Sequence, residues 1–287
     1  MAFDIYAAVT DRIIAQLEQG VIPWHKPWTG VQSGAISGAT GKPYSLLNQM
    51  LLGKPGEWYT WNQIQNLGGK VRKGEHSSMV VFWKQVPVKE VNPETGKEEQ
   101  HLVPMLRYYN VFHVSQCEGI EPKTVDHESV DLASDEAADA IIQDYITRCG
   151  VTLKHVKGDE AFYSPIPDYV QLPLREQFPS MAEYYSTAFH ELTHSTGHRS
   201  RLDRLSRKAF FGNEEYSKEE LVAEIGAASL LNYVGIETAS SFRNSAAYIQ
   251  SWLRALRNDK KMIVTAAGAA GKAFEMISGT GAYAPEA

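Results

Sequence analysis

Hydrophobic residues recur at intervals of three and four positions in several segments of the chain, and this spacing predicts amphipathic helices. The first such segment runs from Phe3 to Gln19, and Gly20 and Pro23 end it. Further along, the runs Ser78 to Val88 and Val103 to Ser115 have the composition of strands, and the polar segment between them suggests a hairpin. The first 120 residues are therefore predicted to form a mixed domain of helix and strand.

The pattern in the second half of the chain is mostly helical. A short amphipathic helix is predicted from Ala137 to Cys149, and two or three short strands between Val151 and Gln171. Another helix is predicted to begin near Met181. Three more helices follow, at residues 217–233, 246–257 and 261–277.

Composition divides the chain in two. Residues 121–136 lack aromatic side chains and are rich in acids, which is typical of a linker. Residues 1–125 contain 12 Lys and Arg against 11 Asp and Glu, a net charge of +1, whereas the remainder contains 16 against 23, a net charge of -7. The acidity of the chain therefore belongs to its C-terminal part. The predicted fold is α+β with two domains, a mixed α/β domain at residues 1–120 and a mostly helical domain at residues 137–287.

The helix near residue 181 carries the most specific chemistry in the sequence. Ser180 is predicted to be its N-cap and Gly197 its left-handed C-cap. Inside it lies the motif H-E-x-x-H, formed by His190, Glu191 and His194. Two imidazoles four residues apart point the same way on a helix and can bind one metal ion, and the carboxylate of Glu191 can then take a proton from metal-bound water. The motif predicts two metal ligands, His190 and His194, and a catalytic base, Glu191.

A catalytic zinc site needs a third protein ligand, and the best source is the next helix. A capping signal at Ser217 opens this helix, and Glu220 and Glu224 share an otherwise apolar face of it. Glu220 is interpreted as the third ligand and Glu224 as the acceptor for the free ring N–H of a liganding histidine. In the alternative, Glu220 only completes a capping box and Glu224 is the ligand. His198 ranks below both because Gly197 is predicted to end the helix before it, and it is a candidate substrate or oxyanion contact. The ligand types favour zinc, with Mn²⁺ or another divalent ion as the alternative.

The overall composition is that of a soluble globular protein, with 43% hydrophobic and 22% charged residues, and it excludes a fibrous or disordered chain. No apolar run approaches the roughly 20 residues that a membrane span requires. The N-terminus has acids and helical periodicity, unlike a signal peptide. Cys117 and Cys149 have no metal-binding spacing and are interpreted as small core residues in a reducing compartment. We therefore expect a cytoplasmic protein without a membrane partner.

Aromatic and basic residues are interleaved in the N-terminal half, where five of the six tryptophans lie within the first 83 residues. Aromatic faces that stack on bases and cations that follow phosphates are the combination that binds single-stranded nucleic acid. Small domains also use tryptophan to fill a core, which is the alternative interpretation. Glycines in residues 41–44 and 68–74 allow the backbone to approach a phosphate beside lysine and arginine. The candidate DNA-binding residues are Trp24, Lys26, Trp28, Lys42, Tyr44, Lys70, Arg72 and Lys73.

Several long segments together resemble a known family. The segments DIYAAVTDRIIAQLEQGVIPWHKPW, TGKPYSLLN, LGGKVRKGE and YYNVFHVSQCEG resemble the single-stranded DNA-binding domain of ArdC-type antirestriction proteins. The segments HELTHSTGHRSRLDR and EELVAEIGA resemble the zincin-type metallopeptidase domain that follows it in that family. They occur in the same order over nearly the whole chain. Between Tyr44 and Asn48 the family commonly has an arginine and a glycine, and this chain has Ser45, Leu46 and Leu47, so it lacks one cation of that motif.

The resemblance implies a protein of conjugative plasmids or related mobile elements that protects incoming DNA from host restriction. It implies single-stranded DNA as the partner of the N-terminal half and a metal-dependent peptidase site in the C-terminal half. The substrate of that site would be a restriction-related or DNA-bound protein. Two alternatives stay open at this point. The chain could be a DNA-binding protein with a catalytically silent metal domain, or a metallopeptidase whose N-terminal half recognises protein.

Overall fold

The computed structural model describes residues 3–25, 34–91, 98–122, 135–205, 214–236 and 245–280. The helices of the N-terminal half are α1 (Ile5–Glu18), α2 (Leu46–Leu52) and α3 (Trp61–Asn66). Its strands are β1 (Ala35–Ser37), β2 (Gly56–Thr60), β3 (Lys70–Val71), β4 (Ser78–Val91), β5 (Glu98–His113) and β6 (Cys117–Glu118). The predicted first helix and the two predicted hairpin strands are confirmed.

The main sheet of this half has the strand order β1-β2-β5-β4. Strand β1 is parallel to β2, and the other neighbours are antiparallel. Strand β4 pairs with β5 over its whole length, from the pair Ser78 and Val111 to the pair Val91 and Glu98, and the last two residues of β5 pair with β2 alone. This ribbon is much longer than β1 and β2, so its outer end extends beyond the sheet. The residues that join the two strands lie outside the described residues.

The C-terminal half begins with α4 (Asp135–Cys149) and a small sheet of β7 (Thr152–Val156), β8 (Phe162–Ser164) and β9 (Tyr169–Pro173). The strand order is β7-β9-β8, with β7 parallel and β8 antiparallel to β9. Four helices follow, α5 (Met181–Ser195), α6 (Glu214–Tyr233), α7 (Ser245–Asn258) and α8 (Met262–Ser278). The fold is α+β with a mostly helical second half, as predicted. No helix within the described ranges combines the length and the hydrophobicity needed to cross a bilayer.

The largest hydrophobic core draws on both halves of the chain. It joins α1 and α2 to parts of α6, α7 and α8, so residues such as Ile13 and Leu51 pack in the same cluster as Leu221 and Leu256. A second core lies between α4, α5 and the small sheet, and the later turns of α6 and α8 complete it. Helices α6 and α8 therefore belong to both cores. The boundaries predicted for the two domains and the linker remain a prediction, and residues 123–134 of that linker lie outside the described residues.

Two predicted helix ends are wrong. Helix α5 ends with Thr196 as its cap, in a right-handed conformation, and Gly197 does not have a positive φ. Glycine is needed there because an added Cβ would lie 2.8 Å from the Leu205 side chain and 3.1 Å from the carbonyl oxygen of His194. Helix α6 begins at Glu214, so Ser217 lies within its first turn and not at its cap. The interpretation of Glu220 as a member of a Ser217 capping box loses its basis.

Candidate metal centre

Helix α5 positions the two histidines of the H-E-x-x-H motif. The Ser180 hydroxyl accepts a hydrogen bond from the backbone N–H of Glu183 and starts the helix, as predicted. The apolar stripe of α5 is fully buried in the second core, and it includes Tyr185, Ala188 and Phe189. This packing fixes the rotation of the helix about its axis, so its two imidazoles are presented together on one side.

Helix α6 packs directly against α5 at a glycine. A Cβ added at Gly226 would lie 2.7 Å from Cγ2 and 2.9 Å from Oγ1 of Thr193, which is closer than side chains pack. Thr193 immediately precedes His194, and its hydroxyl donates to the Phe189 carbonyl oxygen within α5. The close approach of the two helices at Gly226 brings the first turns of α6, and Glu220 with them, to the histidines.

The donor atoms of His190, His194 and Glu220 all lie within 4.8 Å of one another. The two Nε2 atoms are 3.2 Å apart, Oε2 of Glu220 is 3.6 Å from Nε2 of His190, and Oε1 is 3.5 Å from Nε2 of His194. Ligands at about 2.0–2.2 Å from a tetrahedral ion are separated by roughly 3.3–3.6 Å. The three residues therefore have the spacing of one face of a tetrahedral site, and their chemistry fits a divalent ion.

Negative charge surrounds His190. Burial opposes protonation of its imidazole, but the carboxylates of Glu220, Glu224 and Glu191 raise its pKa to about 9. Only 9% of the Glu191 surface is exposed, so its carboxylate lies in the protein interior close to His190. This concentration of acids favours a cation at the site, whether it is a proton on the ring or a metal ion.

Two further acids lie on the outer side of the rings. Glu224 Oε1 is 3.9 Å from Nδ1 of His190, on the far side of that ring from Glu220. Oε1 of Glu219 lies 3.4 Å from Nδ1 of His194. Glu224 was predicted to accept a hydrogen bond from a liganding histidine, and it lies near His190 but beyond hydrogen-bond distance. The contact of Glu219 was not predicted.

Glu219 is fixed in turn by Arg204, a residue of the segment after α5. Nε and Nη2 of Arg204 lie 3.2 and 2.8 Å from the two carboxylate oxygens of Glu219. The same guanidinium donates to the hydroxyl of Thr196 and to the carbonyl oxygen of Thr193, at 2.8 and 3.0 Å. Burial opposes ionisation of Glu219, but hydrogen bonds from His194 and Arg204 lower its pKa overall. The chain His194–Glu219–Arg204 thus ties the histidine to the end of its own helix and to α6.

His198 does not belong to the group of potential ligands. Its Nδ1 is 2.7 Å from the hydroxyl of Ser200 and 3.9 Å from the carboxylate of Asp168. Asp168 accepts hydrogen bonds from Arg201, whose Nη1 lies 3.0 Å from Oδ2, and from the Tyr163 hydroxyl at 2.7 Å. Nε of Arg201 also donates to the carbonyl oxygen of Ser195 at 2.7 Å, at the end of α5. This network, which sequence reasoning missed, fastens the segment after α5 to the small sheet.

The two candidate DNA-binding aromatic residues that the structure describes are both buried. Trp24 is 2% exposed and packs edge to face on Trp252 of α7, with ring centroids 5.1 Å apart. Tyr44 is 5% exposed and packs against Phe82 at 6.2 Å. Both are core residues, so the structure gives them a packing role and leaves no face for a base. Lys26 and Trp28 lie outside the described residues.

The four predicted cations that the structure describes are exposed, but some already have partners. Nζ of Lys70 is 3.0 Å from Glu118. Arg72 lies 3.7 Å from Glu75 and donates to the carbonyl oxygen of Ser115. Lys42 and Lys73 are also on the surface. Among the described candidates, the aromatic residues are therefore buried and only the cations are exposed.

Comparison with known proteins gives a family for each half. Residues 3–112 match the N-terminal domain of anti-restriction factor ArdC, and residues 136–269 match a zincin-like metallopeptidase family. Among solved structures, the antirestriction ArdC protein from the R388 plasmid is similar in its metal-free form, with a TM-score of 0.75 and 38% identity over 96% of this chain and 97% of that one. Its Mn(II)-bound form is similar to the same degree, with a TM-score of 0.75 and 37% identity.

Curated relatives extend this likeness. Two Escherichia coli proteins named DNA primase TraC are each 35% identical, over 95% and 94% of this chain. The chain spans only 20% and 26% of their lengths. A Sinorhizobium fredii protein, y4eC, is 32% identical over 93% of this chain and 89% of its own length. The similarity thus covers both halves together, in short proteins and within longer ones.

Proposed function

Because the chain belongs to the ArdC antirestriction family, we propose that it binds single-stranded DNA and carries a metal-dependent peptidase site. In this proposal the N-terminal half holds the DNA, and the zincin-like half cleaves a DNA-bound or restriction-related protein. The combined activity protects incoming plasmid DNA from host restriction. The cytoplasm, where restriction takes place, is the expected location.

The observation that carries the hydrolytic part is the convergence of His190, His194 and Glu220 beside the buried carboxylate of Glu191. We assign the first three as ligands of a divalent ion. Two imidazoles and one carboxylate suit zinc, which we propose as the resident ion. Manganese is the alternative, because a similar protein has an Mn(II)-bound form.

Each residue has a distinct part in the reaction. When bound, the ion supplies Lewis acidity, which makes water more acidic and polarises a peptide carbonyl. The carboxylate of Glu191 accepts the proton of the attacking water and passes it to the leaving amine nitrogen. Glu219 accepts a hydrogen bond from the outer ring nitrogen of His194, and Glu224 lies 3.9 Å from that of His190, so both carboxylates favour the ring orientations in which the inner nitrogens would hold the ion.

Surface composition supports the DNA-binding part. The N-terminal half exposes several large aromatic side chains, and stacking of bases on such side chains is worth roughly 1–3 kcal/mol per base. It also exposes lysines and arginines that can follow a phosphate backbone. The exposed aromatic residues among those described include Phe3, Trp61, Trp83, Tyr108 and Tyr109, and the exposed cations include Lys42, Lys73, Lys84 and Arg107.

Metal content and cleavage test the peptidase part separately. We expect elemental analysis to find one divalent ion per chain in unmodified protein and in Glu191→Gln, and none in His190→Ala. Zinc-loaded protein is then incubated with single-stranded DNA and candidate partner proteins, and mass spectrometry detects new termini, including those of self-cleavage. Cleavage by unmodified protein that Glu191→Gln abolishes supports the proposal, and equal cleavage by both would contradict the role of Glu191.

Single-strand binding is tested by fluorescence anisotropy of a labelled oligothymidine. We expect binding that weakens steeply with added salt, because each neutralised phosphate releases counterions. Absence of binding at low salt would eliminate the DNA-binding part and leave a protein-recognition role for the N-terminal half.

A further inference from the structure

We infer that a pocket in the middle of the β4–β5 ribbon binds one nucleotide of a single DNA strand. The pocket has a volume of about 330 Å³ and is lined by Lys84, Val86, Pro87, Arg107 and Tyr109. This inference rests on the proposed single-strand binding and names its site, which differs from the residues that the sequence suggested.

The strand register places an aromatic residue and two cations on one face of the ribbon. Residues that are directly opposite in an antiparallel pair lie on the same face, and here Phe82 is opposite Arg107 and Lys84 is opposite Met105. Tyr109, two residues from Arg107, is on this face as well. We call it the pocket face. Tyr108 points to the opposite face, where its ring packs on Phe3 with centroids 4.9 Å apart.

Exposure on the pocket face differs between the two strands. On β4 it rises outward, since Val80 is 0% exposed and Phe82 is half-buried, whereas on β5 Val111 is 1% exposed and Tyr109, directly opposite Val80, is already 48% exposed. Further out, Lys84 is exposed. The inner part of this face is therefore part of the folded core, while the outer part is open to a ligand.

A row of aromatic rings holds Tyr109 in place. Tyr44 in the core packs on Phe82 at 6.2 Å, and Phe82 packs edge to face on Tyr109 at 5.7 Å. A ring whose orientation is fixed before binding loses little conformational entropy when a base stacks on it. Tyr44 thus contributes to the site through Phe82, without contacting a base.

The two cations supply the partner for a phosphate. In the part of the chain that the structure describes, no carboxylate pairs with Lys84 or Arg107, in contrast to Lys70 and Arg72, which lie near Glu118 and Glu75. The pocket volume is at the lower end of the range for small-molecule sites, which suits one base. An aromatic ring, an apolar wall and two cations that pair with no carboxylate among the described residues match the recognition of single strands by stacking and charge.

A neighbouring pair of tyrosines provides the test. Tyr109→Ala removes the stacking ring of the pocket, whereas Tyr108→Ala removes a ring of the same type and similar exposure, at 43%, from the opposite face. Anisotropy titration with labelled oligothymidine is carried out for both variants, for Tyr109→Phe and for the pair Lys84→Gln with Arg107→Gln. Circular dichroism and thermal melting confirm that each variant is folded.

We expect Tyr109→Ala to bind about 5- to 150-fold more weakly, and Tyr109→Phe and Tyr108→Ala to bind within about twofold of unmodified protein. The double cation variant should reduce the slope of log affinity against log salt by about 0.7, since both cations serve one phosphate and single strands lose about 0.7 for each phosphate contact. Strong binding by Tyr109→Ala, or equal losses in the two tyrosine variants, would overturn the pocket while the proposed function stands. Absence of binding by unmodified protein would overturn both.

Discussion

Replacing Glu219 by glutamine removes the charge between Arg204 and His194 but keeps the length of the side chain and one acceptor oxygen. In unmodified protein, Oε1 lies 2.8 Å from Nη2 of Arg204 and 3.4 Å from Nδ1 of His194. The amide group of glutamine would present N–H donors to a guanidinium that also only donates. The substitution therefore tests whether this carboxylate stabilises the fold, the metal site, or both.

The magnitude follows from burial. Both side chains of the ion pair are only 13% exposed, so water replaces little of the lost attraction. Removal of one partner of a buried pair costs about 3–5 kcal/mol. Arg204 keeps its hydrogen bonds to the Thr196 hydroxyl and the Thr193 carbonyl, so we expect a loss of about 2–3 kcal/mol for Glu219→Gln. Loss of the outer partner of a liganding histidine weakens metal binding by about 10- to 100-fold, and we expect the lower end because one acceptor remains.

Two measurements separate the effects. Urea denaturation of chelator-treated protein gives the change in the free energy of unfolding, and competition with a chromophoric chelator gives the dissociation constant for zinc. Glu18→Gln is the matched control, since Glu18 pairs with Arg257 at 2.6 Å but both side chains are about half exposed, at 50% and 55%. We expect this control to change stability by less than about 1 kcal/mol and zinc affinity not at all.

The outcomes discriminate clearly. A variant that matches unmodified protein in both measurements would refute the reasoning about this ion pair. Lower stability with unchanged zinc affinity would assign Glu219 to the fold alone. Weaker zinc binding that Glu18→Gln does not share would support a positioning role for His194.

Three further predictions concern helix packing, acid stability and metal binding. Gly226→Ala should destabilise the fold by about 1–3 kcal/mol and weaken zinc binding, because its methyl group forces α6 away from α5. Gly268→Ala is the control, since an added methyl group there meets nothing within 4 Å, and it should leave stability in urea denaturation unchanged or raise it. Burial opposes ionisation of Asp168, but hydrogen bonds, chiefly from Arg201, lower its pKa below the ordinary 3.8. Ionised Asp168 therefore stabilises the fold fully above pH 3.8, and this stabilisation is lost as the pH falls through the lowered pKa of the folded state. The difference in unfolding free energy between unmodified protein and Asp168→Asn should therefore shrink in acid, and a constant difference would contradict this reasoning. Zinc at about 100 times its dissociation constant should stabilise chelator-treated protein by about 2.7 kcal/mol and raise its Tm, and Glu220→Ala should show no such rise.

Local patterns predicted that His190, His194 and Glu220 lie close together, whereas their role as metal ligands stays a prediction. The N-cap Ser180, the apolar stripe of α5 and the four-residue spacing of His190 and His194 are all properties of one helix, and helical periodicity is sufficient to infer them. Glu220 was identified because a carboxylate on an apolar face needs a positive partner. The structure brings it to within 3.6 Å of both rings.

Contacts between distant segments were beyond the reach of such patterns. Glu219 is adjacent to Glu220 and about 100° around the helix from it, so its contact with His194 depends on how α6 crosses α5. Trp24 was interpreted as a base-stacking residue because composition cannot show that Trp252, more than 200 residues later, covers its ring. Tyr109 is the reverse case, because it is exposed but was not chosen as a candidate. Alternation along a strand assigns a residue to one face of the sheet but does not reveal which face stays open to solvent.

The core that α1 and α2 share with α6, α7 and α8 has a consequence for anyone who divides the gene between the two family regions. Each fragment would expose a hydrophobic surface that is buried in the intact chain. In the N-terminal fragment this surface would include Ile13, and in the C-terminal fragment it would include Leu221. Helix α6 would lose the packing of residues such as Leu221 against the N-terminal half, and this packing helps to fix the position of the neighbouring Glu220. The ArdC-like and zincin-like halves thus share one core, and the matches inside the much longer TraC proteins include both halves together.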